Sequence, residues 1–277
     1  KVADSGGYPL HNCAIMTNGS LYCWGKNSYG ELGIGSTTDQ TTPQLVNLGS
    51  GVKAVHVSVG ASFTCAVTDA GALMCWGSNM YGKLGIGNTS SANYLTPQTA
   101  DLPTNRKAVH VQLGQSHACA LLDNGDVACW GYNNYGQLGT GDTTPRKSPT
   151  VASLDSQRQV ASVGTGKHHV CIGYDNGSVL CAGRDNYGQQ GDAPSSDTSN
   201  DVTFTYTDQL ANLSIIALAG EYVSCALLAN GTAQCWGGGA VGQMGDGTTG
   251  NNHYPDDLVN TPSGRFIVDM SMSGEHA

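Results

Sequence analysis

Charge is scarce in this chain. Asp, Glu, Lys and Arg make up 12% of its 277 residues, about half the share of an ordinary soluble domain. Only 12 residues are Lys or Arg against 21 Asp or Glu, for a net charge of −9, and no basic run occurs. Displacing counterions from a phosphate backbone takes clustered cations, so nucleic acid is not an expected partner. No apolar stretch approaches the roughly 18 residues of a membrane-crossing helix, so no membrane insertion is expected. Helical periodicity is absent almost everywhere. No nucleophile elbow, phosphate-cradling loop or paired-carboxylate motif is legible. Catalytic residues, metal ligands and cofactors are therefore assigned none, and the chain reads as a non-enzyme. The acidic stretches "GDAPSSDTSND" (191–201) and "HYPDDL" (253–258) lack the Asp-x-Asp-x-Asp-Gly spacing that calcium needs. The chain opens on "KVADSGG", with neither Met nor a hydrophobic signal segment, and so reads as a processed mature chain or an excised fragment.

What is present repeats. Glycine accounts for 39 residues, about twice the usual share, which implies many turns. Ten cysteines stand in pairs ten apart: Cys13/Cys23, Cys65/Cys75, Cys119/Cys129, Cys171/Cys181 and Cys225/Cys235. The pairs recur every 52 or 54 residues. The clearest unit, "AVHVQLGQSHACALLDNGDVACWGYNNYGQLGTGD" (108–142), reads as strand, loop, strand, tight turn, strand and glycine-punctuated loop. Val109, Val111 and Leu113 alternate with His110 and Gln112, which is sheet periodicity. A repeat near 50 residues in an all-β chain points to four-stranded propeller blades. The chain reads as one domain, 1–277, with repeats at approximately 1–53, 54–107, 108–159, 160–214 and 215–264, and an end strand at 265–277.

Each cysteine pair brackets a turn: Thr17-Asn18-Gly19, Asp69-Ala70-Gly71, Asp123-Asn124-Gly125, Asp175-Asn176-Gly177 and Ala229-Asn230-Gly231. A three-residue hairpin loop ends in a left-handed residue that Gly adopts without steric cost. Counting outward from Met16 and Ser20 puts Cys13 opposite Cys23 as a non-hydrogen-bonded pair. Such Cα atoms lie about 4.5 Å apart, inside the disulfide range of about 4.4–6.8 Å. On the other face Trp24, Trp76, Trp130 and Trp236 stand opposite Asn12, Thr64, Ala118 and Ser224. In the fourth unit Ala182 replaces the Trp opposite a larger Val170, as volume conservation across a packed interface would require. Ten-residue spacing is wrong for zinc or iron–sulfur ligation, and five like pairs do not fit a single catalytic thiol. Structural disulfides are expected, each contributing about 2–3 kcal/mol. They imply an oxidising compartment, hence secretion or the cell surface.

In the loop "CWGYNNYGQLGTGD" (129–142) the sequence resembles the regulator of chromosome condensation repeat family. Gly114, His117, Ala120 and Leu121 match one part of its motif. Trp130, Gly131, Asn133, Gly136, Gln137, Leu138, Gly139 and Gly141 match the other. Similar loops stand at Trp24–Gly35 and Trp76–Gly87, with degraded ones at 181–192 and 235–247. The resemblance implies a β-propeller that trades in protein–protein contacts. Its members include exchange factors for a small nuclear GTPase, light sensors and a secreted bacterial β-lactamase inhibitor. Family propellers usually have seven blades, whereas five cysteine units stand here. Disulfides and acidic charge do not suit a nuclear member, so exchange-factor activity is not carried over.

The terminal "RFIVDMSMSGEHA" (265–277) matches the start of another repeat, while residues 1–10 offer no convincing leading strand. Three arrangements would pair the spare strand: closure of the ring on itself, donation to the next subunit in a head-to-tail homo-polymer, or a longer propeller. His11, His117, His169 and His276 precede a cysteine position by two, with Phe63 and Val223 elsewhere. They read as loop-holding residues rather than a metal ring. The unit-specific insertions 36–51, 88–105, 142–158, 192–210 and 248–263 are where a partner would be read. Tyr94, Phe204, Tyr206 and Tyr254 are the candidate aromatic anchors. Asn18, Asn88, Asn176 and Asn230 fit glycosylation acceptors. The expected function is an extracellular structural or protein-interaction module, by self-association or with a protein partner. The alternatives are a secreted inhibitor or adhesin gripping one partner, and a carbohydrate-active enzyme.

Overall fold

The computed structural model describes residues 2–3, 10–88, 90–154, 158–192, 199–207, 214–220, 222–252, 255, 259, 261, 265–267 and 270. The first sheet comprises β1 (His11–Ile15), β2 (Leu21–Gly25) and β3 (Gln40–Leu45). The second comprises β4 (Ala54–Val59), β5 (Phe63–Thr68), β6 (Leu73–Ser78) and β7 (Asn93–Thr99), and the third β8 (Ala108–Leu113), β9 (His117–Leu122), β10 (Val127–Gly131) and β11 (Arg146–Val151). The fourth holds β12 (Val160–Thr165), β13 (His169–Tyr174), β14 (Val179–Gly183) and β15 (Asp201–Tyr206); the fifth holds β16 (Ser214–Ala219), β17 (Val223–Leu228) and β18 (Ala233–Gly237). Every pairing within a sheet is antiparallel between chain neighbours. The all-β, roughly 50-residue four-stranded unit expected from the repeat is the one observed in the second, third and fourth sheets, while the first and fifth show three strands among the described residues.

The central hairpin forms as its turn dictates. In the first unit Gly19 takes φ +86°, its N–H donates to Met16 O at 3.0 Å, and Met16 N–H donates to Ser20 O at 2.9 Å. That turn sets the register Cys13↔Cys23, and the other turns set Cys65↔Cys75, Cys119↔Cys129, Cys171↔Cys181 and Cys225↔Cys235. All five pairs are disulfide-bonded, with Cα atoms 4.1 Å apart. A one-residue slip would send the two cysteines to opposite faces, so turn and bridge demand the same pairing.

Outer strands are blunted by proline. Pro43, Pro97 and Pro149 fall where β3, β7 and β11 shift register against β2, β6 and β10. A residue without an N–H is tolerated at such a bulge and weakens the edge as a template for another strand.

Two compact units divide the chain: residues 1–133 with 144–151, and 134–143 with 152–277. In the first, Trp76 and Trp130 each lie in a core between neighbouring sheets. In the second, Trp236 packs with Cys171, Val179, Cys181, Ala226 and Leu228.

At the chain's start no strand precedes β1 among the described residues, but an isolated bridge stands where a leading strand would pair. Val2 is bridged to Ala14, and Ala3 N–H donates to Cys13 O at 2.9 Å. Val2 thus holds the place that Val57 holds opposite Ala66 and Val111 opposite Ala120. Backbone groups carry a ladder, so two residues can join one without displaying any pattern. In the second unit Ile267 N–H donates to Gly231 O at 2.7 Å. The same bond opens β4 (Ala54 to Gly19) and β8 (Ala108 to Gly71), each at 2.9 Å. Residue 267 therefore stands where a further repeat begins.

Candidate interaction site

Two of the motif histidines, His11 and His169, lock neighbouring sheets together. His11 Nε2 lies 2.7 Å from Thr64 Oγ1, whose hydroxyl donates to Glu31 O at 2.8 Å; Trp76 Nε1 donates to the same carbonyl at 2.9 Å. Since the hydroxyl proton is committed to the carbonyl, Thr64 must accept from His11 Nε2–H. The second unit repeats this: His169 Nε2 is 2.9 Å from Ser224 Oγ, and Gln189 O accepts from Ser224 at 2.7 Å and Trp236 Nε1 at 3.0 Å. Burial pushes His11 down to about 4 and His169 to about 3, with the neighbouring His168 adding to the latter. Both are neutral donors and hold structure. Where Phe63 replaces the histidine, the residue at the hydroxyl position of the next sheet is Ala118, a match that the sequence pattern contains but that only the lock makes visible.

The fourth repeat lacks the tryptophan, and Phe204 stands in for it. A Cβ on Gly33 would strike the Trp76 indole, and one on Gly191 the Trp236 indole; on Gly139 it would strike the Phe204 ring. Val170 does pair with Ala182 as the register requires, but the large ring in the gap comes from β15. Phe204 is therefore buried and committed to packing, which corrects its assignment as a partner anchor. Tyr94 is half-buried, packs against the core shared by the second and third sheets and accepts from Asn88 Nδ2 at 3.2 Å. Tyr206 is 49% exposed and is still available to a partner. Tyr254 and His276 lie outside the described residues. Asn18, Asn176 and Asn230 are exposed at turn tips, each carboxamide oxygen accepting from the N–H two residues on. Asn88 is held by Asn79 and Tyr94.

A cluster that the sequence reading missed gathers at one end of the fourth and fifth sheets. Backbone bonds build it: Arg184 N–H donates to His168 O (2.9 Å), Lys167 N–H to Gly220 O (3.1 Å) and Gly238 N–H to Tyr222 O (2.8 Å). The first and last of these tie the loop after the third strand to the loop between the first and second strands of the same sheet, and the Lys167 bond joins those first-to-second-strand loops across the two sheets. The Arg184 guanidinium lies 5.4 Å from the Tyr135 ring centre and 5.9 Å from those of Tyr187 and Tyr222. Its Nε donates to Asn186 Oδ1 at 3.1 Å. Lys167 Nζ donates to the Tyr222 hydroxyl at 3.0 Å and sits 5.0 Å over that ring. The Tyr187 and Tyr222 ring centres lie 5.0 Å apart with planes tilted by 57°, and those of His168 and Tyr135 4.8 Å apart with planes tilted by 36°. Burial holds His168 down to about 4, and the positive charges of Lys167 and Arg184 add to the effect. Elsewhere in this unit the Thr205 hydroxyl lies 3.0 Å from Asp192 and 2.8 Å from Asp201. Burial and Asp201 push the Asp192 carboxyl up to about 6. Among the described residues no three His, Cys, Asp or Glu side chains gather as a metal site.

Disulfide-closed hairpins stacked through a His–hydroxyl–carbonyl–Trp lock, with loops presented at the sheet ends, define a β-propeller repeat protein. The chain belongs to the RCC1-like domain family, whose profile matches residues 5–277, so the resemblance read in the loops is borne out. Arabidopsis thaliana ultraviolet-B receptor UVR8 is 29% identical over 269 residues, covering 96% of this chain and 60% of that protein. Human E3 ubiquitin-protein ligase HERC2 is 32% identical over 183 residues, or 65% of this chain and 4% of HERC2. The chain thus spans 60% of the length of one of these relatives and 4% of the other. Yeast RCC1 (Prp20), solved bound to Kap60, superposes with a TM-score of 0.80 at 22% identity, over 92% of this chain and 60% of that one. That likeness shows the fold.

Proposed function

We propose that this chain is an extracellular, non-enzymatic interaction module, secreted or held at a cell surface, that reads a protein partner with the loops at its sheet ends. The observation that carries the reading is that all ten cysteines are joined in bridges no more than 1% exposed. Such bridges persist in oxidising compartments, and the cytosolic thiol pool opposes them. A binding role is supported by family membership and by Lys167 and Arg184 at loop positions where the second and third repeats carry no cation. Exposed Asn18, Asn176 and Asn230 suit the same compartment as glycan acceptors. The test is the intact mass of chain recovered from its source and alkylated without reductant. No label on any cysteine is expected; ten labels would sink the compartment and the extracellular role together.

Self-association is the second reading, favoured by the Ile267–Gly231 bond that starts a further repeat. Against strand donation at the first sheet, Val2 and Ala3 already occupy part of its inner edge. Light scattering and negative-stain imaging of the purified chain separate the cases: a head-to-tail polymer gives filaments with a regular axial repeat, and a monodisperse monomer ends the polymer reading.

A further inference from the structure

We propose that the Lys167–Arg184–Tyr135–Tyr187–Tyr222 cluster is a docking site for a short acidic peptide segment of a protein partner. The proposal rests on the interaction-module reading and names the chemistry of the partner. Tyr135 and Tyr187 stand where Tyr29 and Tyr81 stand in the first two repeats, and Lys26 of the first repeat stands where Arg184 does, but the second and third repeats need neither cation. At the position of Lys167 the second and third repeats have Ala61 and Gln115, and at that of Arg184 they have Ser78 and Tyr132. The backbone bonds are nevertheless the same, with Ser78 N–H to Ser62 O at 3.0 Å and Tyr132 N–H to Ser116 O at 2.9 Å. The cations are thus not there to make the loops fold.

The arrangement of Arg184 points outward in chemistry. Three tyrosine rings and the Asn186 carboxamide hold the guanidinium in place. Only Nε is engaged by a hydrogen bond among the described residues, which leaves the paired terminal N–H groups to form a fork for a carboxylate. A cation oriented before binding loses little freedom when the ligand arrives. Half-buried Tyr135, Tyr187 and Tyr222 surround it with the residue types that dominate interface energies. Charge selects the occupant further. The chain carries −9 overall, with 12 Lys and Arg in all, so an extended polyanion such as nucleic acid, heparin or an anionic membrane would be repelled around so small a cationic spot. One or two carboxylates on a flexible peptide match its size.

The experiment is fluorescence anisotropy with a labelled Glu/Asp-rich peptide and its Gln/Asn counterpart, alongside heparin and phosphatidylserine vesicles. The intact disulfide-bonded chain should bind the acidic peptide and not the amide version. Arg184→Gln and Lys167→Gln should each weaken binding about tenfold, equivalent to about 1.4 kcal/mol, with thermal unfolding unchanged as proof of folding. In the unmutated chain the peptide should raise the His168 titration point, read by NMR, because a bound carboxylate offsets the positive field. Glu221, beside Tyr222, lies outside the described residues, so Glu221→Gln belongs in the series. Binding only after that substitution would mean the cluster is already neutralised within the chain, and would overturn the proposal. Heparin or vesicle binding without peptide binding would overturn it too. A partner captured equally well by the Arg184→Gln chain would sink this site while leaving the interaction role standing.

Discussion

Phe204 and Gly139 belong to one packing event. The ring occupies space that an indole fills in other repeats, and the glycine leaves room for it. Truncating a buried ring removes both its transfer energy and its packing, so Phe204→Ala should cost about 3–5 kcal/mol in urea unfolding. Tyr206→Ala, at an exposed site two residues on, should stay within about 0.5 kcal/mol. Equal effects would mean that Phe204 does not fill the gap. The buried histidines make a second prediction at this scale. His11 and His169 titrate in the native chain at about 4 and about 3, against about 6.5 when unfolded. Between those values the unfolded chain binds more protons, so stability is full above about pH 6.5 and falls as pH drops, by about 1.4 kcal/mol per unit for each histidine. His168 adds in the same direction, while Asp192, raised to about 6, opposes it between about 6 and 3.8. His169→Gln should flatten the measured slope between pH 6 and 4 by about 1.4 kcal/mol per unit; an unchanged slope would mean that His169 is not buried neutral.

Among the elements, the loop following each third strand shows what one side chain can bend. Glu31, Gln137, Gln189 and Gln243 each accept from the backbone N–H two residues earlier, at 2.6, 3.1, 2.9 and 2.9 Å. Lys83 holds this position in the second repeat and offers no acceptor. There the chain tightens into a 3-10 turn at Met80–Gly82, with Tyr81 at φ +64°. Lys83 instead donates to Ser62 Oγ at 2.7 Å over the Phe63 ring at 5.1 Å. Burial pulls it down to about 8, partly offset by Glu31. A left-handed tyrosine is strained by about 1–3 kcal/mol, so Lys83→Gln should raise stability by about 1 kcal/mol at pH 7. It should also abolish the rise in stability between about pH 8 and 10.5 that comes from an unfolded chain binding the extra proton. Urea unfolding at both ends of that range checks it, and a destabilised variant would show that the lysine's own bonds outweigh the strain. At the same scale, replacing Cys119 and Cys129 by Ala should cost about 2–3 kcal/mol.

For the molecule as a whole, the five bridges lie inside packed sheets rather than on the surface. Thiol–disulfide exchange needs access to sulfur, so reductant should act on the native chain only as fast as it opens. A mass time course in dithiothreitol should show intact bridges until mild urea is added. Rapid stepwise loss without denaturant would mean that the sheets open locally.

The local code was enough to read the repeat, the hairpin register and all five bridges. Turn, alternation and cysteine spacing act over about ten residues, where geometry leaves one pairing. Sequence alone also carried the family and, through it, the propeller fold. The lock, the substitution of Phe204 for a tryptophan, the pairing of Val2 and the tyrosine–arginine cluster were legible only in three dimensions. Each joins residues from different repeats or loops, and Tyr135, Arg184 and Tyr222 stand in three loops far apart along the chain. Their proximity follows from how sheets stack, and stacking is decided by volumes and hydrogen bonds that no single segment contains.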